Sequence, residues 1–62
     1  MKASRYASLI GRTVVVYSSG LVFGPVTLIR IEPGEHGGHF VIEFDRDDRA
    51  TVRRRGTTLR PY

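Results

Sequence analysis

The densest chemistry in the chain is cationic. Arg49, Arg53, Arg54, Arg55 and Arg60 fall within the last 14 residues, which hold no acidic residue. A guanidinium is a planar fork of donors suited to phosphate oxygens or a guanine edge, whereas the side-chain amides are the usual readers of adenine. The chain has no Asn and no Gln. Arginines set against phosphates release condensed counterions, so affinity built this way falls with salt and carries little base information. Lys2, Arg5 and Arg12 extend the same character into the first 31 residues, again without an acid, and all six Asp and Glu lie between Glu32 and Asp48. The charge order is basic, acidic, basic. Nine of the ten basic residues are Arg; a GC-rich genome would account for that excess but not for the segregation. For the run Arg53 to Arg55 two readings compete. One is a solvated turn screened across a hairpin by Asp45, Asp47 and Asp48. The other is a phosphate grip to which Arg53 and Arg55 project on one side of an extended chain and Arg54 on the other.

Other residue groups offer less. Tyr17 and Phe23 flank the turn Ser18 to Gly20 and are suited to stacking on a base or forming half of a cage for a methylated side chain, or else to covering the end of the fold. His36, Gly37, Gly38 and His39, with Glu35 beside them, have metal-like composition, but zinc needs three or four ligands converging at about 2 Å and the supply of further ligands is thin. No metal and no cofactor is expected. A nucleophilic triad needs a base oriented by a buried partner, which a Gly-rich loop does not preorganise. The glycines do not follow a strand and open a helix, so they form no phosphate-binding fingerprint. The chain is read as a non-enzyme with no catalytic residues.

These side chains need elements to hold them. With 62 residues there is room for one domain, which buries only roughly 60% of the surface the unfolded chain exposes. Cysteine is absent, so neither disulfides nor a zinc ribbon can support so small a core. No purely apolar stretch exceeds three residues, as in Val14 to Val16, against the roughly 20 of a membrane span, and the N-terminus lacks an apolar signal region. An intracellular protein is expected, cytoplasmic or nucleoid-associated, not secreted and not in a membrane. Residues 1–10 form an N-terminal arm or short helix, with Ala3, Tyr6, Ala7 and Ile10 as its apolar stripe. Residues 11–62 then read as strands at Thr13 to Tyr17, Leu21 to Glu32, His39 to Phe44, Ala50 to Arg53 and Leu59 to Tyr62, the third and fourth making a hairpin. In the long second strand Val26 and Leu28 share one face but Ile29 and Ile31 the other, a slip that predicts a bulge. Pro25 is placed at a strand start or edge. Five short strands, one of them bent, and no helix beyond the start predict an all-β chain, a single closed or nearly closed small barrel of five strands with a short N-terminal helical turn. Its expected core is Val14, Val16, Val26, Leu28, Phe40, Ile42, Phe44, Val52 and Leu59.

The chain resembles an SH3-like small barrel, and within that class it most resembles the C-terminal DNA-binding domain of retroviral integrases. The matching residues are Val16-Tyr17 before a turn, Gly24-Pro25 with Leu28-Ile29, Phe40-Val41-Ile42, Arg53-Arg54, and Arg60-Pro61-Tyr62, scattered over residues 13 to 62. The resemblance implies a five-stranded barrel, DNA binding through Arg53, Arg54 and Arg60, and frequent pairing of two copies. It departs from the pattern in having no catalytic core and a longer Pro33 to Gly38 loop. Gly11, Val14, Val16, Gly24 and Val26 resemble the first half of the KOW module, and Phe44, Arg49 to Val52 and Leu59-Arg60-Pro61 resemble the close of Tudor-like domains. Arg55-Gly56 with Leu59 is similar to the second motif of Sm-like RNA-binding proteins. The expected function is nucleic-acid binding, DNA before RNA and with weak sequence specificity, by Lys2, Arg5, Arg12, Arg49, Arg53, Arg54, Arg55 and Arg60; closure of the barrel would bring Lys2, Arg5 and Arg12 towards Arg53, Arg54, Arg55 and Arg60 on one face. The alternative is a Tudor- or KOW-like protein-interaction module that takes a peptide or a transcription or repair partner. A homodimer would add buried area and double the positive field.

Overall fold

The computed structural model describes residues 6–62, and in it the β-branched and aromatic runs form β1 (Thr13–Ser18), β2 (Leu21–Glu32), β3 (His39–Asp45), β4 (Asp48–Arg53) and β5 (Thr57–Pro61). All neighbours are antiparallel and form one sheet in the order β4-β3-β2-β1-β5. The chain is all-β, and its strand order and buried inner face are consistent with a small SH3-like barrel. The last strand lies beside the first, from Val14 opposite Pro61 to Ser18 opposite Thr57. Two 3-10 turns, Ala7–Leu9 and Glu35–Gly37, are the helical content of the described residues, and none of those residues forms a helix long and apolar enough to cross a membrane.

The 12 residues of β2 serve two neighbours in succession. The first half pairs with β1 and the second with β3. The register on β1 runs from Val14 opposite Val26 to Val16 opposite Phe23, so Gly24 and Pro25 together face Val15 alone. Gly24 suits this close passage: it sits at φ +140°, and a Cβ there would lie 3.0 Å from the Val14 carbonyl oxygen and 3.2 Å from the Val15 Cα. Pro25, which has no N–H to give a ladder, falls at this irregularity and outside the segment paired with β3. A second irregularity follows where the register on β3 passes from Leu28 opposite Ile42 to Arg30 opposite Val41, leaving Ile29 as the extra residue. That is the point at which the alternation of the sequence slips. One inserted residue reverses the face of everything beyond it, and so Val26, Leu28 and Ile31 all pack on one core.

That core comprises Val14, Val16, Val26, Leu28, Phe40, Ile42 and Leu59 with Tyr6 and Leu9, while Phe23, Ile31, Ala50 and Val52 lie partly buried against it. Each of the large apolar side chains that is fully buried contributes roughly 1.5–3 kcal/mol. Three expectations are corrected. The expected short helical turn is a 3-10 turn at Ala7–Leu9, but its apolar stripe differs: the buried pair is Tyr6 and Leu9, three residues apart as that helix's period requires; Ala7 and Ile10 are exposed, and Ala3 lies outside the described residues. Tyr6 meets Phe40 edge to face with centroids 5.4 Å apart. Phe44 is 45% exposed because the β3–β4 register shifts between Glu43 and Asp45, next to the hairpin tip. It stacks on Phe23 at the rim, with centroids 6.0 Å apart. Val41, on the outward side of the alternation, is nonetheless buried, in a row between Arg30 and Thr51 on the flanking strands.

Beyond β2 the chain turns through Glu35–Gly37 and is pinned at Gly38, whose N–H donates to the Glu35 carbonyl while its own carbonyl accepts from the Arg54 N–H at 3.0 Å. The Pro33 to Gly38 segment is therefore a braced turn that ties β3 to the end of β4. Gly38 has φ +82°, and a Cβ there would collide with the Glu32 carbonyl oxygen. Backbone, unlike a flexible side-chain tip, cannot move aside cheaply. Gly38→Ala should lower stability by about 2 kcal/mol or more, a fall of about 10 °C in the thermal midpoint for a domain this small, as followed by circular dichroism; an unchanged midpoint would mean that the turn re-forms without this constraint.

Candidate nucleic-acid interface

The arginine run occupies the corner where β4 ends and β5 begins. Arg53 closes β4 with an exposed side chain, Arg54 is half-buried with its side chain beside Gly37, and Arg55 is exposed in the turn. Thr57, the one buried polar side chain among the described residues, holds this corner. Its hydroxyl donates to the Arg53 carbonyl at 2.6 Å. With that single proton committed, the 2.9 Å contact to Ser18 is a bond in which the Ser18 hydroxyl donates and Thr57 accepts. The Thr57 N–H donates to the Arg54 carbonyl. The corner is thus fixed through backbone and hydroxyl groups, and the guanidinium groups of Arg53 and Arg55 are left to face outward.

The register also decides which charges meet. Asp45, Asp47 and Asp48 sit at the tip of the β3–β4 hairpin, where Asp45 opposes Asp48, while Arg53 opposes His39 at the other end of β4. Five steps of strand separate Asp48 from Arg53, about 16 Å at the usual rise, roughly twice the screening length of about 8 Å at physiological salt. The aspartates therefore do not neutralise the arginine corner. Arg49 is compensated, its Nε lying 3.3 Å from the Glu43 carboxylate, and Arg30 is paired with Glu32 at 2.7 Å. Arg53 instead borders an open hollow of about 570 Å³ with Glu35, His36 and His39. Among the described residues no three His, Cys, Asp or Glu side chains are placed to hold a metal ion.

Antiparallel pairing of β1 with β5 places Arg60 opposite Val15 and the Tyr62 N–H on the Thr13 carbonyl, so Arg12 lies just past the last residue. The described cations do not form one cluster: Arg12 and Arg60 stand at one end of β5, and Arg53 to Arg55 at the other. The span of β5 between them is about 13 Å. Lys2 and Arg5 lie outside the described residues. Tyr17 and Phe23, expected to act together, are on opposite faces, because Phe23 pairs with the buried Val16 and Tyr17 pairs with the exposed Val22. Tyr17 instead carries the Arg60 guanidinium over its ring, 5.8 Å from the centroid. This pairing across β1 and β5 had no signal in the sequence beyond the expectation that the first and last strands adjoin. A groove of about 380 Å³ runs along β5, lined by Tyr6, Ser8, Leu9, Thr58, Leu59, Arg60 and Pro61.

No family model, no curated protein and no solved structure matches this chain.

Two outcomes follow from this geometry. Thr57→Val keeps the shape but leaves the Arg53 carbonyl and the Ser18 hydroxyl without their partner, which should cost about 1–2 kcal/mol, or about 4–16 °C in midpoint; Thr57→Ser should recover most of it. Arg49→Gln removes an exposed ion pair of little worth, so its stability should stay within about 0.5 kcal/mol of the parent, a midpoint shift of at most about 4 °C in a melting curve, and a larger loss would make Arg49 structural.

Proposed function

We propose that this chain is a small non-enzymatic nucleic-acid-binding protein that grips phosphates with arginine and reads little sequence. One observation carries the reading: the sheet order gathers every carboxylate onto the β4–β3 side and the far end of β2, so that β5, β1 and the first half of β2 present Arg12 and Arg60 with no acidic residue among them. A surface with cations and no carboxylate raises the local concentration of polyanions and lets each phosphate contact release a counterion. Arg53 and Arg55, beyond the screening reach of the hairpin aspartates, extend the same stripe along β5. The resemblance to integrase C-terminal domains, carried on Arg53, Arg54 and Arg60, favours DNA before RNA. Arg49, committed to Glu43, is left out of the grip. Arginine without Asn or Gln allows some preference for guanine and little else.

A second reading draws on the groove along β5. Its lining by Tyr6, Leu9 and Leu59 beside an edge strand suits an extended peptide added to the sheet. The two readings separate in one experiment, fluorescence anisotropy of labelled duplex and single-stranded oligonucleotides over a salt series. Three or four phosphate contacts predict a log-log salt slope near −3 on duplex. Arg53→Ala combined with Arg55→Ala should make that slope shallower by about 2 and weaken all sequences alike, with the melting midpoint unchanged because the Thr57 bond uses the Arg53 carbonyl and not its side chain. Absence of binding to either form at about 50 mM salt, where phosphate contacts are strongest, would overturn the nucleic-acid reading in favour of the peptide groove.

A further inference from the structure

Within the phosphate-grip reading, on which this step rests, the exposed ring beside Arg60 is left without a role. Tyr17 is 39% exposed on the outer face of β1, opposite Val22, which is 61% exposed. Neither is needed by the core, since the inward positions of the same ladder are filled by Val16 and Phe23. A phosphate contact explains Arg60 but gives no reason for an open aromatic ring beside it. We infer that Tyr17 is a stacking platform for an unpaired base, with Arg60 taking the adjoining phosphate, so that the ligand of this face is a single strand.

The chemistry decides between the ring's present neighbour and a base. An exposed contact between a guanidinium and a ring is worth a factor of about 2–5 in an equilibrium, whereas a base stacked on an aromatic side chain is worth about 5–150. A base therefore displaces the guanidinium from the ring, and the displaced Arg60 remains next to the backbone of the same nucleotide. Arg60 opposes Val15 and Tyr17 opposes Thr58, so both project from the same outward face two residues apart along the sheet. No carboxylate is present on β1, β5 or the first half of β2 to repel the strand. Bases in a duplex are already stacked and offer only their edges, so a ring standing on an open sheet face reaches those of a single strand. Every base has a π-face, so the platform tolerates all sequences.

The test compares three ligands of equal length at one salt concentration: a single-stranded DNA oligonucleotide, its duplex, and an abasic strand with the same phosphates. The parent protein should bind the strand more tightly than the abasic backbone by about 5- to 150-fold. Tyr17→Ala should lose about that factor on the single strand and change duplex and abasic binding by less than about twofold; Tyr17→Phe should retain the parent preference, and Tyr17→Val, which keeps a strand-forming residue at the position, should repeat the alanine result if alanine disturbs the fold. Arg60→Gln should weaken all three ligands. Equal losses on strand and duplex from Tyr17→Ala, or parent binding that does not distinguish the strand from its abasic form, would overturn the platform while leaving the phosphate grip in place. Failure of the parent to bind any of the three would instead remove the grip, and the platform with it.

Discussion

Everything in this small fold depends on one strand serving two partners. The 12 residues of β2 pair first with β1 and then with β3, and an unbroken strand of that length would keep a single face inward throughout. Two local irregularities prevent this. At Gly24-Pro25 two residues pass opposite one, with Gly24 close against the backbone of β1; at Ile29 an extra residue reverses the alternation. Bulged strands bend and twist more strongly. The sheet can therefore surround a single core of nine buried side chains instead of lying flat with one face open to water. A chain without disulfides has no other source of comparable stabilisation.

The same strand order separates the charges. Because β1 lies between β2 and β5, the acid-free first and last segments of the chain become neighbours through β1 and β5, while the acidic residues occupy the end of β2, the turn that follows it, β3 and the hairpin tip. The separation is finer than two uniform faces. On the acidic side Glu43 and Glu32 are used to pair Arg49 and Arg30. On the other side Arg12 and Arg60 stand at one end of β5 and Arg53 to Arg55 beyond the other. Between these two ends stands Tyr17, whose ring lies under the Arg60 guanidinium.

Much of the fold was legible in the sequence because alternation has a strict period of two and glycine and proline interrupt it visibly. The limits of β2, the slip near Ile29 and the inward residues of β3 all follow from that. Phe44 was misread for the same reason: the alternation continues through it, but the irregularity at the hairpin shifts it to the rim, and nothing in residue type marks that shift. Leu9 was left off the apolar stripe, and Ala7 and Ile10 put on it, because a 3-10 turn and a short α-helix share the same few residues but differ in period. Val41 is buried by strands on either side, which only the pairing reveals.

Of the candidate site, the residue types and their segregation were already determined by the sequence: arginine instead of lysine, no Asn or Gln, no acid in either terminal segment, and a hydroxyl residue just after the arginine run. Tertiary structure alone decided which of these charges meet. Arg49 is paired with Glu43 while Arg53 lies far from the hairpin aspartates and borders a hollow with Glu35, Tyr17 joins Arg60 and parts from Phe23, and Thr57 finds Ser18 39 positions away along the chain. The physical reason is that charge and aromatic character belong to single residues, whereas screening, stacking and hydrogen bonding depend on distances of a few ångströms between strands. Those distances are set by register, here that of β3 on β4 and of β1 on β5.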